Sequence, residues 1–153
     1  MTRVTISTYS PAQAVAIRSI LERIGWAEQY IASAERNAQA FSERPDVCAV
    51  YLAHADDLPV GFIYLELHEW NRLAQIHGLA VDPGYQRRGV ARELVQHGED
   101  FAKKKGARGM YVDTPARNMG GRAFYEAMGY RFGYEMPRYY EDNLDGVTYQ
   151  KFF

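Results

Sequence analysis

The sequence predicts a single α/β domain of the α+β kind: a mixed, mostly antiparallel sheet with a central parallel crossover, flanked by about four helices. Three observations carry this. Two stretches before residue 45 repeat their apolar positions at helical spacing. Three apolar runs between Val47 and Val81 are joined by connections too short for crossovers, so they form an antiparallel meander. From Ala74 to Thr114 a strand, a long amphipathic segment and a second strand follow one another, a unit that requires a right-handed parallel crossover.

The elements follow in order. Val4 to Thr8 reads as a strand. Ser10, Pro11 and Gln13 form a helix start, with Ser10 as the cap and Gln13 reaching back. Ile17, Ile20, Leu21 and Ile24 make the buried stripe, and Gly25 ends the helix. Ala27, Tyr30, Ile31, Ala34, Ala38 and Phe41 mark a second helix that Arg44-Pro45 stops. The meander then occupies Val47–Ala55, Val60–Trp70 and Ala74–Val81, closed by Asp82-Pro83-Gly84. A long helix runs from about Arg87 to Lys105, with Val90, Leu94, Val95 and Ala102 on one face. Gly109–Thr114 is a strand, Asn118–Met128 a short helix, and Tyr130–Tyr139 and Val147–Phe153 the last two strands.

The 153 residues fit one domain over 1–153, with 47% hydrophobic and 24% charged side chains. Eighteen basic and nineteen acidic side chains leave a net charge of −1, without the basic excess of a general nucleic-acid binder. Met1 to Ser10 lacks the apolar run of a signal peptide, and no segment approaches the roughly 20 apolar residues of a membrane span. Cys48 is the one cysteine, so no internal disulfide forms, and its apolar strand marks it as inert core. A cytoplasmic setting is expected, with neither membrane nor nucleic acid as partner. No His, Cys or carboxylate group shows metal-ligand spacing, and no metal is expected.

The informative stretch is Gln86-Arg87-Arg88-Gly89-Val90-Ala91, between a strand and the long helix. Gly89 lets a ligand approach the backbone. The first N–H groups of a helix have no partner within it, and the helix dipole adds positive potential there. Such a loop suits a phosphate or pyrophosphate. It lacks the Lys-Ser/Thr of a Walker loop and the dinucleotide glycine pattern.

Two motifs extend this segment. Ile76-His77-Gly78-Leu79-Ala80-Val81-Asp82-Pro83 followed by Tyr85 to Ala91 resembles the acetyl-CoA-binding core of the GNAT superfamily of N-acetyltransferases, and Asn118 with Ala123 to Tyr130 resembles that family's second motif. The resemblance spans Ala74 to Tyr130, and the order of elements agrees with the GNAT fold. It implies that Leu79, Ala80 and Val81 offer backbone hydrogen bonds to a pantetheine arm. Gln86, Arg87, Arg88, Gly89, Val90 and Ala91 would then hold the pyrophosphate of acetyl-CoA, with Asn118 and Tyr125 near the thioester.

The implied reaction is attack of a neutral amine on the thioester, and it needs no metal. Tyr125 is the expected general acid toward the leaving thiolate. Asp113, twelve residues earlier at a strand end, is the first choice of base. In the branch of the family that acetylates the N-terminus of a ribosomal protein, a Glu stands at the matching position. Strand alternation places Tyr64, Glu66, His68 and Trp70 on one face, where Glu66 or His68 could receive a proton through water. His77 is a further option. Tyr139-Tyr140, in the loop before the acidic Glu141-Asp142, resemble the paired tyrosines lining the peptide site of N-terminal acetyltransferases. These and Glu66 and His68 are the acceptor-site candidates.

Three readings follow: acetylation of a small-molecule primary amine, acetylation of a protein N-terminus or lysine, and a non-catalytic CoA-binding sensor or interaction module. A closed pocket between the second helix and the Tyr139 region favours the first, and an open groove the second. The sequence leaves a homodimer open.

Overall fold

The computed structural model describes residues 3–153. Met1 and Thr2, at the head of the segment examined for a signal sequence, lie outside them. Strand β1 spans Val4–Thr8. The Gln13 side chain does reach back to the Ser10 amide, at 2.9 Å. Pro11–Gln13 nevertheless winds as a 3-10 turn, and helix α1 begins one turn later, running Ala14–Ile24. Gly25 stops it with φ 96°, its N–H returning to the carbonyls of Leu21 and Glu22. Helix α2 spans Glu28–Ser42 and buries Ile31, Ala34 and Ala38.

Strands β2 (Cys48–Ala55), β3 (Leu58–His68) and β4 (Leu73–Val81) form the expected antiparallel meander, and β1 pairs on its outer side with β2. Trp70, expected to extend β3, instead sits in the β3–β4 turn and is 86% exposed. Helix α3 spans Val90–Lys104, three residues later than the expected start at Arg87. Arg87 (φ 62°) and Gly89 (φ 82°) occupy left-handed backbone conformations that a right-handed helix cannot include. Strand β5 (Gly109–Pro115) returns parallel to β4. Helix α4 (Met119–Ala127) is capped by Asn118, whose Oδ1 accepts from the Gly121 amide at 3.0 Å.

Strands β6 (Arg131–Tyr140) and β7 (Leu144–Phe152) close the sheet. Strand β6 runs one residue past its expected end at Tyr139, because Tyr140, expected in the connecting loop, still pairs with Leu144 beside the turn. The order is β1-β2-β3-β4-β5-β7-β6, so β7 inserts between β5 and β6 and leaves β6 at the edge.

The sheet carries a core on each face. One packs Ile63, Leu65, Ala74 and Met110 against Val90, Leu94, Val95 and Ala102 of α3. The other packs Val50, Leu52 and Phe62 against Ile17, Ile20, Leu21 and Ile31 of α1 and α2. Each fully buried Leu or Ile of this kind contributes about 2 kcal/mol. Buried Glu99 ties α3 to the far side of the sheet: it accepts from Tyr130 Oη (2.8 Å) and Lys151 Nζ (3.0 Å). Among the described residues no helix is long and apolar enough to cross a membrane.

Candidate active site

Strands β4 and β5 pair only from Leu73–Gly109 to Ile76–Val112 and then part. A bulge lies where they separate. Tyr64 of β3 faces Gly78, but Leu65 faces Ile76, so His77 is an extra residue in β4. A bulge bends its strand and increases its twist. Gly78 allows this packing, since a Cβ there would lie 2.5 Å from a Tyr64 ring carbon. Between the parted strands opens a cleft of about 1000 Å³. Along it the β5-facing edge of β4 has no strand partner, so its backbone polar groups are open to a ligand.

Leu79, Ala80, Val81, Gln86, Arg87, Gly89, Val90 and Ala91 all line the cleft. Arg88 does not: its guanidinium rests over the Tyr85 ring, 5.2 Å from the centroid, and that cation–π contact turns it away. The Gln86 side chain donates to the Val81 carbonyl at 3.1 Å, fastening the loop to the strand end. Arg87 and Gly89 are left-handed and two residues apart, an alternation of hand that occurs in anion-binding nests. Asp82 anchors the other side of the loop. It accepts from the Gly84 amide at 2.8 Å and pairs with Arg23 of α1, which also donates to the Pro59 carbonyl. Burial works against the Asp82 charge, but the Gly84 amide and Arg23 together outweigh it and hold its pKa below the ordinary carboxylate value.

Across the cleft stand Asp113, Asn118 and Tyr125. Asn118 is engaged twice, its Oδ1 in the α4 cap and its Nδ2 donating to Thr114 Oγ1 at 3.2 Å. Tyr125 is 6% exposed and packs edge-on against Phe124 and Tyr130. Burial, with a smaller effect of Tyr140, pushes its phenol well above the ordinary tyrosine value, so it stays protonated. Asp113 accepts from Thr148 Oγ1 (2.6 Å) and from Tyr139 Oη (3.1 Å).

Glu66, His68, Tyr139 and Tyr140 do not line this cleft. Glu66 lies behind it, its Oε1 at 3.3 Å from Nε2 of His77, which does line it. Burial lowers the His77 pKa, and the Glu66 charge offsets only part of this, so the ring is neutral at neutral pH. His68 bonds Gln75 at 2.9 Å. Tyr139 and Tyr140 line a neighbouring cavity of about 400 Å³ with Tyr30, Glu141 and Asp142, and Pro115 borders both cavities. The Tyr30 hydroxyl donates to the Glu141 carboxylate, joining α2 to the β6–β7 turn.

Two contributors to the cleft escaped the sequence reading. Trp26 lines it from the α1–α2 connection, where a large aromatic directly after the helix-ending Gly25 was the available signal. Arg23 reads in sequence as a last-turn cation, and its partner is 59 residues away.

Residues 16–130 match the family model described as the Acetyltransferase (GNAT) family. Over 67 residues the chain is 34% identical to the [ribosomal protein bS18]-alanine N-acetyltransferase of Escherichia coli (strain K12), covering 44% of this chain and 45% of that one. Over 78 residues it is 31% identical to the streptothricin acetyltransferase of Streptomyces lavendulae, covering 51% and 41%. The matches thus span less than half the length of these relatives. A GNAT-family structure from Desulfovibrio desulfuricans superimposes with a TM-score of 0.87 at 18% identity, covering 98% of this chain and 99% of that one. The PaiA N-acetyltransferase of Thermoplasma acidophilum, solved with coenzyme A, does so with a TM-score of 0.77 at 18% identity, covering 99% of each. The matched span covers most of the chain and contains both walls of the cleft: the chain belongs to the GNAT acetyltransferase family.

Proposed function

We propose that this chain transfers an acetyl group from acetyl-CoA to the primary amine of a small molecule, by direct attack within a ternary complex. The observation that carries the reading is the cleft between β4 and β5, which combines an unpaired strand edge, a lining loop with two left-handed residues at a helix N-terminus and a protonated phenol. These features fit acetyl-CoA in its parts. The β4 edge at Leu79, Ala80 and Val81 suits the amide-bearing pantetheine arm, and the turn from Gln86 to Ala91, with Arg87, suits the pyrophosphate. Arg88, turned onto Tyr85, contributes field rather than contact.

In this reading the amine nitrogen bonds to the thioester carbonyl carbon and the carbon–sulfur bond breaks. Backbone N–H groups of β4 near Leu79 stabilise the charge that builds on the carbonyl oxygen. Tyr125 donates a hydrogen bond to the departing sulfur. A thiol ordinarily titrates near about 8.5, below this raised phenol, so the thiolate is stabilised more than it is fully protonated by Tyr125. The proton released by the amine passes to Asp113, directly or through one water. Asp113 keeps lone pairs for this beyond the two hydroxyls it already accepts.

The small-amine reading draws support from the Tyr30–Glu141 hydrogen bond. It spans the gap between α2 and the β6–β7 turn, where a peptide would need an open groove. Incubation with acetyl-CoA and matched panels of small amines and short peptides, with products identified by mass spectrometry, tests this. Acetylated small amines are expected. Acetylated peptide N-termini alone would transfer the assignment to protein acetylation, and saturable acetyl-CoA binding without any product would favour a sensor.

A further inference from the structure

On the sheet face opposite α3, one group of three side chains has donor atoms that all lie within 4.8 Å of one another: Glu66, His68 and His77. We propose that they form a binding site for a divalent transition-metal ion of the Zn²⁺ class, beside the cleft that His77 lines.

The backbone itself assembles the set. Glu66 and His68 are two residues apart on β3 and so share a face. His77 joins them through the bulge. Gly78 faces the Tyr64 ring, and the Phe41 ring packs edge-on against both Tyr64 and His77. Two consecutive residues of β4 are therefore turned toward one face, which regular alternation would forbid.

Donors around a tetrahedral ion with bonds of about 2.0–2.2 Å stand about 3.3 Å from each other. Glu66 Oε1 and His77 Nε2 are already 3.3 Å apart. A His68 ring nitrogen lies within 4.8 Å of both, so closure needs the His68 and Gln75 side chains to shift together. Two imidazoles and one carboxylate suit Zn²⁺ and its neighbours, whereas Mg²⁺ and Ca²⁺ require all-oxygen shells.

Outer hydrogen-bonding partners typically orient metal ligands, and two of the three side chains have them. Gln75 Oε1 holds the His68 ring at 2.9 Å and accepts from Tyr111 Oη at 2.9 Å. Arg44 takes Glu66 Oε2 at 2.9 Å, leaving Oε1 for the ion. The Arg44 charge weakens the site electrostatically, so an ion held by three ligands at micromolar rather than structural affinity is the expectation.

An occupied site would engage His77 at the cleft wall and place positive charge beside the cleft, opposing the approach of an amine in its protonated form. This consequence, which rests on the proposed transfer reaction, is inhibition by Zn²⁺ that competes with the amine and is reversed by a chelator.

The binding claim is tested without reference to transfer. Tag-free full-length protein is titrated with Co²⁺ and followed by visible absorption, then by displacement with Zn²⁺. A saturable tetrahedral band at one ion per chain is expected, weakened at least about tenfold in each of His77→Ala and His68→Ala. Glu66→Gln, which preserves shape, serves if either histidine variant fails to fold, and should weaken the band likewise. Absence of a saturable band overturns the proposal, as does a band that persists at full strength in the variants.

Discussion

The Tyr139 hydroxyl donates to Oδ2 of Asp113 across 3.1 Å, linking the edge strand β6 to one wall of the cleft over the intervening β7. Thr148 of β7 holds the other carboxylate oxygen at 2.6 Å. The carboxylate is thereby fixed in direction, which suits its proposed role as acceptor of the amine's proton. Asp113→Asn should lower kcat about 10²-fold or more, within the range for losing a general base. Tyr139→Phe, which only releases one oxygen, should lower it less than about tenfold. Steady-state kinetics with saturating acetyl-CoA separates the two.

Tyr125 is expected to act on the leaving sulfur and not on CoA affinity. Tyr125→Phe should reduce kcat by about 10²-fold while acetyl-CoA affinity changes less than about threefold. Its raised pKa fixes the sign of the pH dependence. The neutral donor persists above the ordinary tyrosine value, so kcat should show no falling limb below about pH 10. A pH–rate profile on wild-type protein checks this.

Gly89 stands at φ 82°, and a Cβ added there meets nothing within 4 Å. The cost of Gly89→Ala is therefore conformational, about 1–2 kcal/mol of backbone strain. It should appear as an approximately tenfold weaker KM for acetyl-CoA with kcat nearly unchanged, since the turn lies at the phosphate end of the proposed site.

The loop's other anchor is the Arg23–Asp82 pair. Arg23→Ala should cost about 1 kcal/mol, a modest figure because Arg23 is about one-third exposed. For a chain of this size that is about 2–4 °C in Tm. Asp82 has a folded pKa below its unfolded value, so its charge stabilises the fold above the ordinary carboxylate pKa, and this contribution fades as pH falls through the folded value. The Tm gap between wild type and Arg23→Ala should therefore be full near neutrality and shrink in acid. Thermal melts across pH measure it.

Much of the architecture was legible because it is local. The stripe Ile17, Ile20, Leu21 and Ile24, the short turns of the meander and the strand–helix–strand unit each fix their element from neighbouring residues. The start of α3 was misplaced because an Arg in the left-handed region has no sequence signature, whereas the following Gly does. The inward position of β7 depends on its long-range pairing with β5, and the extension of β6 to Tyr140 on a hairpin pair with Leu144 that no residue pattern marks. In the cleft, the turn from Gln86 and the Tyr125 helix could be read as motifs. The bulge at His77, which adds that residue to the Glu66–His68 face, and the Trp26 wall could not, since strand register and the packing of the α1–α2 connection leave no residue pattern.

The most direct measurement is free-thiol release from acetyl-CoA in the presence of a small-amine panel, run on the wild type and Tyr125→Phe beside an equilibrium binding titration with acetyl-CoA. The account predicts saturable binding by both proteins, and turnover with at least one small amine that the substitution nearly abolishes. Failure of the wild type to bind acetyl-CoA, or equal turnover by the two proteins, would contradict it.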